Sequence, residues 1–150
     1  MPPQTADTTL TDAAAHLRDA IVRTSRRLRQ EAAAETGLSP STTAALATIN
    51  RSGPLTPSEL AELERVKRPS MTRTLACLER EGLIERTPDP ADGRSSLVAI
   101  SEGGRERLAR LRRRKSAYLA RRLRRLDAEE LATLARAAEL LERMREDEQG

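Results

Sequence analysis

Histidine and cysteine occur once each in this chain, as His16 and Cys77, and that scarcity removes most of the chemistry a small protein performs. An all-protein zinc site of the usual kind draws on several His and Cys ligands. Ser-His-Asp and Cys-His nucleophilic catalysis would each have to use the one His. No catalytic set, metal or cofactor is therefore expected, although carboxylate chemistry is not formally excluded. A lone Cys makes no internal disulfide, which fits the cytoplasm. Cys77 has no second thiol to resolve an oxidised form, so its ordinary reading is an inert side chain.

The sequence is instead rich in arginine. Of 27 basic residues, 25 are Arg, the side chain whose planar fork suits phosphate and guanine edges. The formal net charge of +4 is unevenly spread. Residues 101–125 hold eleven basic and two acidic side chains, and residues 126–150 hold three and eight. The runs Arg112-Arg113-Arg114-Lys115 and Arg121-Arg122 with Arg124-Arg125 read as a solvated helix face, ion-paired with the acidic segment that follows. Their sharper reading is backbone steering or an anionic-ligand site. Two smaller clusters are more specific: Lys67-Arg68-Pro69-Ser70 with Thr72-Arg73, and Asp92-Gly93-Arg94. Each puts cationic and hydrogen-bonding side chains where they could meet a nucleic acid if the backbone presents them.

The elements that would present them follow from composition and spacing. At 150 residues the chain supports one core. Its apolar residues are mostly Ala and Leu, with three Val, four Ile, one Tyr and neither Phe nor Trp, so the fold must be mainly helical. No apolar run approaches the ~18 residues of a membrane span, and no signal peptide is expected. Residues 1–9 read as a disordered lead-in. A helix over 11–35 carries a stripe of Leu10, Ala14, Leu17, Ile21 and Leu28, with Gly37 as its stop. Ser39-Pro40 restarts a buried helix over 41–51. Thr56-Pro57-Ser58-Glu59 is a capping box opening a short helix, with Leu60 and Leu63 expected inward. Val66 is expected buried in a tight turn, before a helix over 68–81 that turns Met71, Leu75 and Leu78 inward. Arg68, Ser70, Thr72 and Arg73 then lie on the outer face. This is a helix-turn-helix. Leu83–Thr87, the turn residues 88–93 and Ser95–Ile100 form a hairpin, the wing. Ser101 to Gly104 caps a helix reaching about Leu126. Asp127 caps a last one reaching about Arg145, with fraying expected over 146–150.

Leu60-Ala61-Glu62-Leu63, Pro69-Ser70-Met71-Thr72-Arg73 and Leu78-Glu79-Arg80-Glu81-Gly82-Leu83-Ile84, followed by the wing segment Asp92–Ser101, resemble the MarR family of bacterial transcription regulators. The likeness covers nearly the whole chain. It implies a mainly α fold with a small β-wing, a winged helix-turn-helix over 38–101. Flanking helices at 10–36 and 105–147 would form a homodimerisation region. It also implies a sequence-specific, cytoplasmic DNA-binding regulator, a repressor released by a small lipophilic or anionic effector. Its partner would be duplex DNA with a pseudo-palindromic operator. The DNA-facing residues it implies are Lys67, Arg68, Pro69, Ser70, Thr72 and Arg73 on the recognition helix, with Asp92 and Arg94 on the wing. Asp92 is expected to steady the Arg94 guanidinium or only to shape the turn; Arg94 is expected to reach a minor groove. Two positions depart from the pattern. Arg65 stands where Gly is frequent, and Lys67 where a capping Ser is frequent. Lys67 places a cation at the positive end of the helix, which a bound phosphate would offset. Without Phe or Trp, an effector pocket must be walled by Leu, Ala, Ile and Met. His16 and Tyr118 are candidates to line it, more simply read as surface or packing residues. The rival function is a non-specific architectural nucleic-acid-binding protein.

Overall fold

The computed structural model describes residues 4–146. The elements run α1 (Gln4–Thr36), α2 (Pro40–Ser52), α3 (Pro57–Leu63), α4 (Arg68–Arg80), β1 (Ile84–Pro88), β2 (Ser96–Ile100), α5 (Glu102–Leu123) and α6 (Ala128–Glu146). The mainly helical fold with a two-stranded wing is the one expected. The chain divides at Lys115/Ser116 into two compact units.

In the first unit, Leu46 and Ile49 of α2, Leu60 of α3, Leu75 and Leu78 of α4 and Val98 of β2 are almost wholly buried. Helix packing thus closes over one face of the hairpin. Ser39 caps α2, its hydroxyl accepting from the Thr42 N–H at 3.1 Å, with Pro40 in the first turn. Strands β1 and β2 pair antiparallel with Ile84 opposite Ile100 and Pro88 opposite Ser96. Leu55 adds a bridge on the far side of β2: its N–H donates to Val98 O at 3.1 Å and its carbonyl accepts from the Val98 N–H at 2.7 Å. This third edge fixes the root of the wing to the loop before α3.

Helix α5 begins against that root. Ser101 donates its hydroxyl to Gly82 O at 2.7 Å and accepts from the Gly104 N–H at 3.1 Å. At Gly104 a Cβ would collide with Leu83 O and Ile100 Cγ1. The bare backbone is what lets the helix approach.

Three expectations change. Helix α1 begins at Gln4 instead of near Thr11, so of the expected lead-in 1–9 only residues 1–3 lie outside the described part. After Pro3 no Pro or Gly interrupts the chain until Gly37, so nothing stops the helix from propagating back toward the terminus. The frayed tail expected over 146–150 lies outside the described residues except Glu146, which is still helical. Leu63, expected inward, is 56% exposed; in a helix of about two turns Leu60 and Ala61 take the buried side. Val66, expected in the core, is 40% exposed, for a reason given by the turn it occupies.

That turn and its counterpart have the same construction. At the end of α4, Gly82 has φ +67°, its N–H donates to Glu79 O, and the Leu83 N–H donates to Leu78 O. At the end of α3, Arg65 has φ +53°, its N–H donates to Glu62 O, and the Val66 N–H donates to Ala61 O. Both are Schellman caps. The second Schellman residue should pack on the residue five before it. Leu83 has Leu78 to meet and is buried, whereas Val66 has only Ala61 and stays exposed. Arg65 therefore keeps the glycine geometry and bears its strain. Arg65→Gly is expected to raise the unfolding free energy by about 1 kcal/mol, since relief of left-handed strain outweighs added chain entropy. Denaturant titration against wild type checks this.

In the second unit, Asp127 caps α6. Its carboxylate accepts from the Glu130 N–H at 2.8 Å, and Glu130 accepts from the Asp127 N–H at 3.0 Å. The guanidinium carbons of Arg121 and Arg122 lie 5.8 and 5.3 Å from the Tyr118 ring centre. None of the described residues of α6 is buried. Among the described residues, no helix is long and apolar enough to cross a membrane.

Candidate nucleic-acid interface

The presentation of α4 starts from α3. Pro57 occupies the first helical turn, Thr56 accepts from the Glu59 N–H at 3.2 Å, and Glu59 accepts from the Thr56 N–H at 2.8 Å. At the other end the Glu64 carboxylate accepts a short hydrogen bond from the buried Thr48 hydroxyl of α2, to which Arg51 also donates at 3.3 Å. The turn is thereby tied to the core helix behind it, and the entry angle of α4 is set at both ends of α3.

Helix α4 then divides into two faces. Met71, Leu75 and Leu78 are buried, and Lys67, Arg68, Pro69, Ser70, Thr72 and Arg73 are exposed. The six share one helix end because they are neighbours in sequence; the helical period turns Met71, Leu75 and Leu78 inward and leaves these six spread around the exposed remainder of the first two turns. Lys67 is the N-cap in extended conformation and makes no side-chain cap. The first turn of α4 therefore has backbone N–H groups without a side-chain acceptor, beside a cation. That is an arrangement suited to a phosphate. Thr72 donates its hydroxyl to Arg68 O at 3.0 Å, so it can only accept from a ligand without breaking that bond. Among the described residues nothing pairs with the Arg73 guanidinium.

The wing is held to α4 by a contact that sequence reasoning missed. Arg86 of β1 donates Nε to Glu79 at 2.7 Å and Nη1 to the Ser96 hydroxyl at 3.2 Å. At the tip, Asp92 accepts from the backbone N–H of Arg94 at 3.0 Å, and its carbonyl accepts from the Ser95 N–H at 2.9 Å. Asp89 accepts from the Ala91 N–H at 2.9 Å. Of the two roles open to Asp92, the observed one is turn-shaping: it holds the Arg94 backbone, not the guanidinium. Arg94 stays exposed.

Within the first unit a cavity of about 190 Å³ opens between α1, α2 and α5, walled by Ala32, Ala33, Ala44, Ala47, Pro40, Thr43 and Leu111, with Arg29 and Lys115 at its margin. The walls are aliphatic, as a chain without Phe or Trp dictates. Neither His16 nor Tyr118 lines it.

A model of the MarR family matches residues 38–96. An HTH-type transcriptional regulator of Mycobacterium bovis is 42% identical over 122 residues, which are 81% of this chain and 85% of that one. A crystal structure of a Pseudomonas aeruginosa protein is 38% identical and covers 95% of this chain and 97% of that one, at a TM-score of 0.77. The chain belongs to the MarR family. Apo MarR of Escherichia coli has 26% identity and a TM-score of 0.65 over 85% of this chain and 95% of its own. As a MarR-family member the protein is a DNA-binding transcription regulator and not an enzyme; the family typically binds DNA as a dimer. The family match spans the element pair α3–α4 and most of the wing, the segments whose caps and turns are most legible in sequence.

Proposed function

We propose that this MarR-family protein is a repressor that holds a pseudo-palindromic operator as a homodimer and releases it when a small, largely apolar anion fills the α1–α2–α5 cavity. The observation that carries the DNA half of this reading is the exposed end of α4. Five side chains able to meet phosphate or base edges, Lys67, Arg68, Ser70, Thr72 and Arg73, stand exposed there while Met71, Leu75 and Leu78 are turned into the core. In this reading Lys67 and Arg68 take phosphates, while Ser70, Thr72 and Arg73 face bases in the major groove. Pro69 sets the first turn, and Arg94 enters the flanking minor groove from a tip shaped by Asp92. Residues 38–101 are then the DNA-binding domain, with 10–36 and 105–147 the dimerisation region. The effector half rests on alanine walls with Arg29 and Lys115 at the margin. Such a cavity suits an aliphatic body bearing one negative group better than an aromatic one needing a stacking partner.

Selection of bound duplexes from a random pool tests the DNA reading. The expected product is an inverted repeat whose half-site centres lie ~34–36 Å apart, one helical turn. The Arg-rich stretch of α5 favours the rival reading, a non-specific architectural binder. A preference for the selected site over bulk DNA of less than ~10³ would support that rival.

A further inference from the structure

Residues directly opposite each other in an antiparallel pair lie on one face, so Ile84 and Ile100, Arg86 and Val98, and Pro88 and Ser96 share a face of the hairpin. Ile84 and Val98 are buried, which makes it the face turned to the helices. Beyond Val98 it holds only Pro88, which is exposed, and Ser96. Arg86 stands where the apolar core runs out. Its bonds to Glu79 at 2.7 Å and to Ser96 at 3.2 Å join α4 to both strands through one guanidinium. Residues 89–95, Arg94 among them, extend past this clamp. The tip's own bonds, Asp89 N–H to Ser95 O at 3.1 Å and those accepted by Asp92, run within the tip. They shape the loop and leave its direction to the strands beneath.

The other end of the clamp lies on the helix of the proposed DNA surface. Arg68, Thr72 and Glu79 follow one another at four and seven residues along α4, so Glu79 continues the stripe of Arg68 and Thr72. A carboxylate on that stripe opposes phosphate by its charge. A fully exposed ion pair is worth little, because two long side chains must be ordered for it. Here the Arg86 side chain is only 32% exposed and a second bond to Ser96 already orders it. We propose that Glu79 and Arg86 are positioning residues for DNA binding, fixing the offset between α4 and the wing tip. Arg94 then reaches its phosphates with Arg73 seated in the major groove, and a pinned arm forfeits less freedom on binding than a loose one. The inference rests on the DNA reading above and adds two residues that touch no DNA in it.

Titration of the selected duplex with variants of the whole chain tests this by sign. Glu79→Gln removes a negative charge, so the field alone would tighten binding. Loss of the clamp is expected instead to weaken it about two- to fivefold, the worth of an ion pair of this kind. Glu79→Gln combined with Arg86→Gln leaves the net charge unchanged and should weaken binding as much. In an Arg94→Ala background the same pair should cost nothing further, since both act through Arg94. Without DNA, the Asp89 and Ser95 amides that close the tip should exchange faster in the paired variant, while Val98, bonded to Leu55, keeps its wild-type protection. Tighter binding by Glu79→Gln, an undiminished loss in the Arg94→Ala background, or unchanged exchange at the tip would each overturn the proposal. Wild-type affinity of Arg94→Ala alone would remove the wing contact itself and this inference with it. A weakened Arg94→Ala beside an unweakened paired variant would overturn this inference and leave the DNA reading standing.

Discussion

Replacing Arg73 with alanine is expected to relax the operator preference at one base position per half-site, costing ~1–3 kcal/mol against the preferred base. Replacing Arg94 is expected to weaken many sequences nearly alike. The two side chains differ in what holds them. Arg73 projects from the second turn of α4, a helix fixed by the Glu64–Thr48 bond on one side and by Met71, Leu75 and Leu78 beneath. A fork carried on so rigid a platform can make a bidentate contact with one guanine edge. Arg94 stands at the tip of a two-stranded arm whose backbone is pinned by Asp92 but whose side chain is not. In the proposed reading it meets the minor groove and its phosphates, where A·T and T·A look alike. Arg94→Ala should therefore lower the slope of log affinity against log salt by about one for each phosphate that its guanidinium neutralises in the wild type. Neither residue is buried, so both variants should unfold at the wild-type denaturant midpoint. Site selection repeated with each variant decides the matter. An unchanged motif with Arg73→Ala, and an altered one with Arg94→Ala, would reverse the assignment.

The features legible in sequence are those that a few neighbouring residues determine. The Thr56–Glu59 box, Ser39-Pro40, Asp127 and Gly82 each announce a helix end because the cap is made within four residues of itself. The Met71, Leu75 and Leu78 stripe is visible because helical period alone places it. What escapes reading depends on residues distant in sequence. Leu55 bridges to Val98 across more than forty positions, and a single residue after Gly53-Pro54 carries no strand pattern. The Arg86–Glu79 pair joins two exposed charges that either could have left to solvent. Leu63 and Val66 look like core residues by type, but their burial is decided by the size of a partner, Ala61, and by the shortness of α3. Arg65 is instructive in the other direction. An unusual residue at a glycine position suggests a different turn, yet the hydrogen bonds hold the usual one and leave the side chain strained. The alanine-walled cavity is the least legible feature. It draws three residues from α1, four from α2 and two from α5, and its chemistry exists only once those segments are packed.

Ile21→Asp together with Leu134→Asp is expected to abolish the dimer and, with it, most operator affinity. Helix α6 is 19 residues long and none of its described residues is buried. With no buried face it receives little of the tertiary packing that supplies most helical stability in proteins. Its apolar residues Leu131, Leu134, Leu140 and Met144 are exposed, as are Leu10, Leu17, Ile21 and Val22 on α1. The eight are 39–69% exposed, so covering what is still exposed would contribute roughly 6–12 kcal/mol per protomer, about half of the ~1.5–3 kcal/mol that full burial of each is worth. Association of two protomers costs an estimated ~4–15 kcal/mol in forfeited freedom and ordering, against that gain made twice, so a second copy of the chain can cover both stripes. Each stripe is self-complementary in kind, as a two-fold interface requires. A carboxylate at each of two positions replaces that gain with the cost of desolvating charge. The paired variant should sediment as a monomer or lose helical content, because folding of α6 is coupled to its cover. Where it stays folded, each half-site must be held alone, and without the linked second half-site affinity falls by about 10²–10⁴-fold. Wild-type protein sedimenting as a stable, folded monomer at micromolar concentration would remove the basis for this expectation.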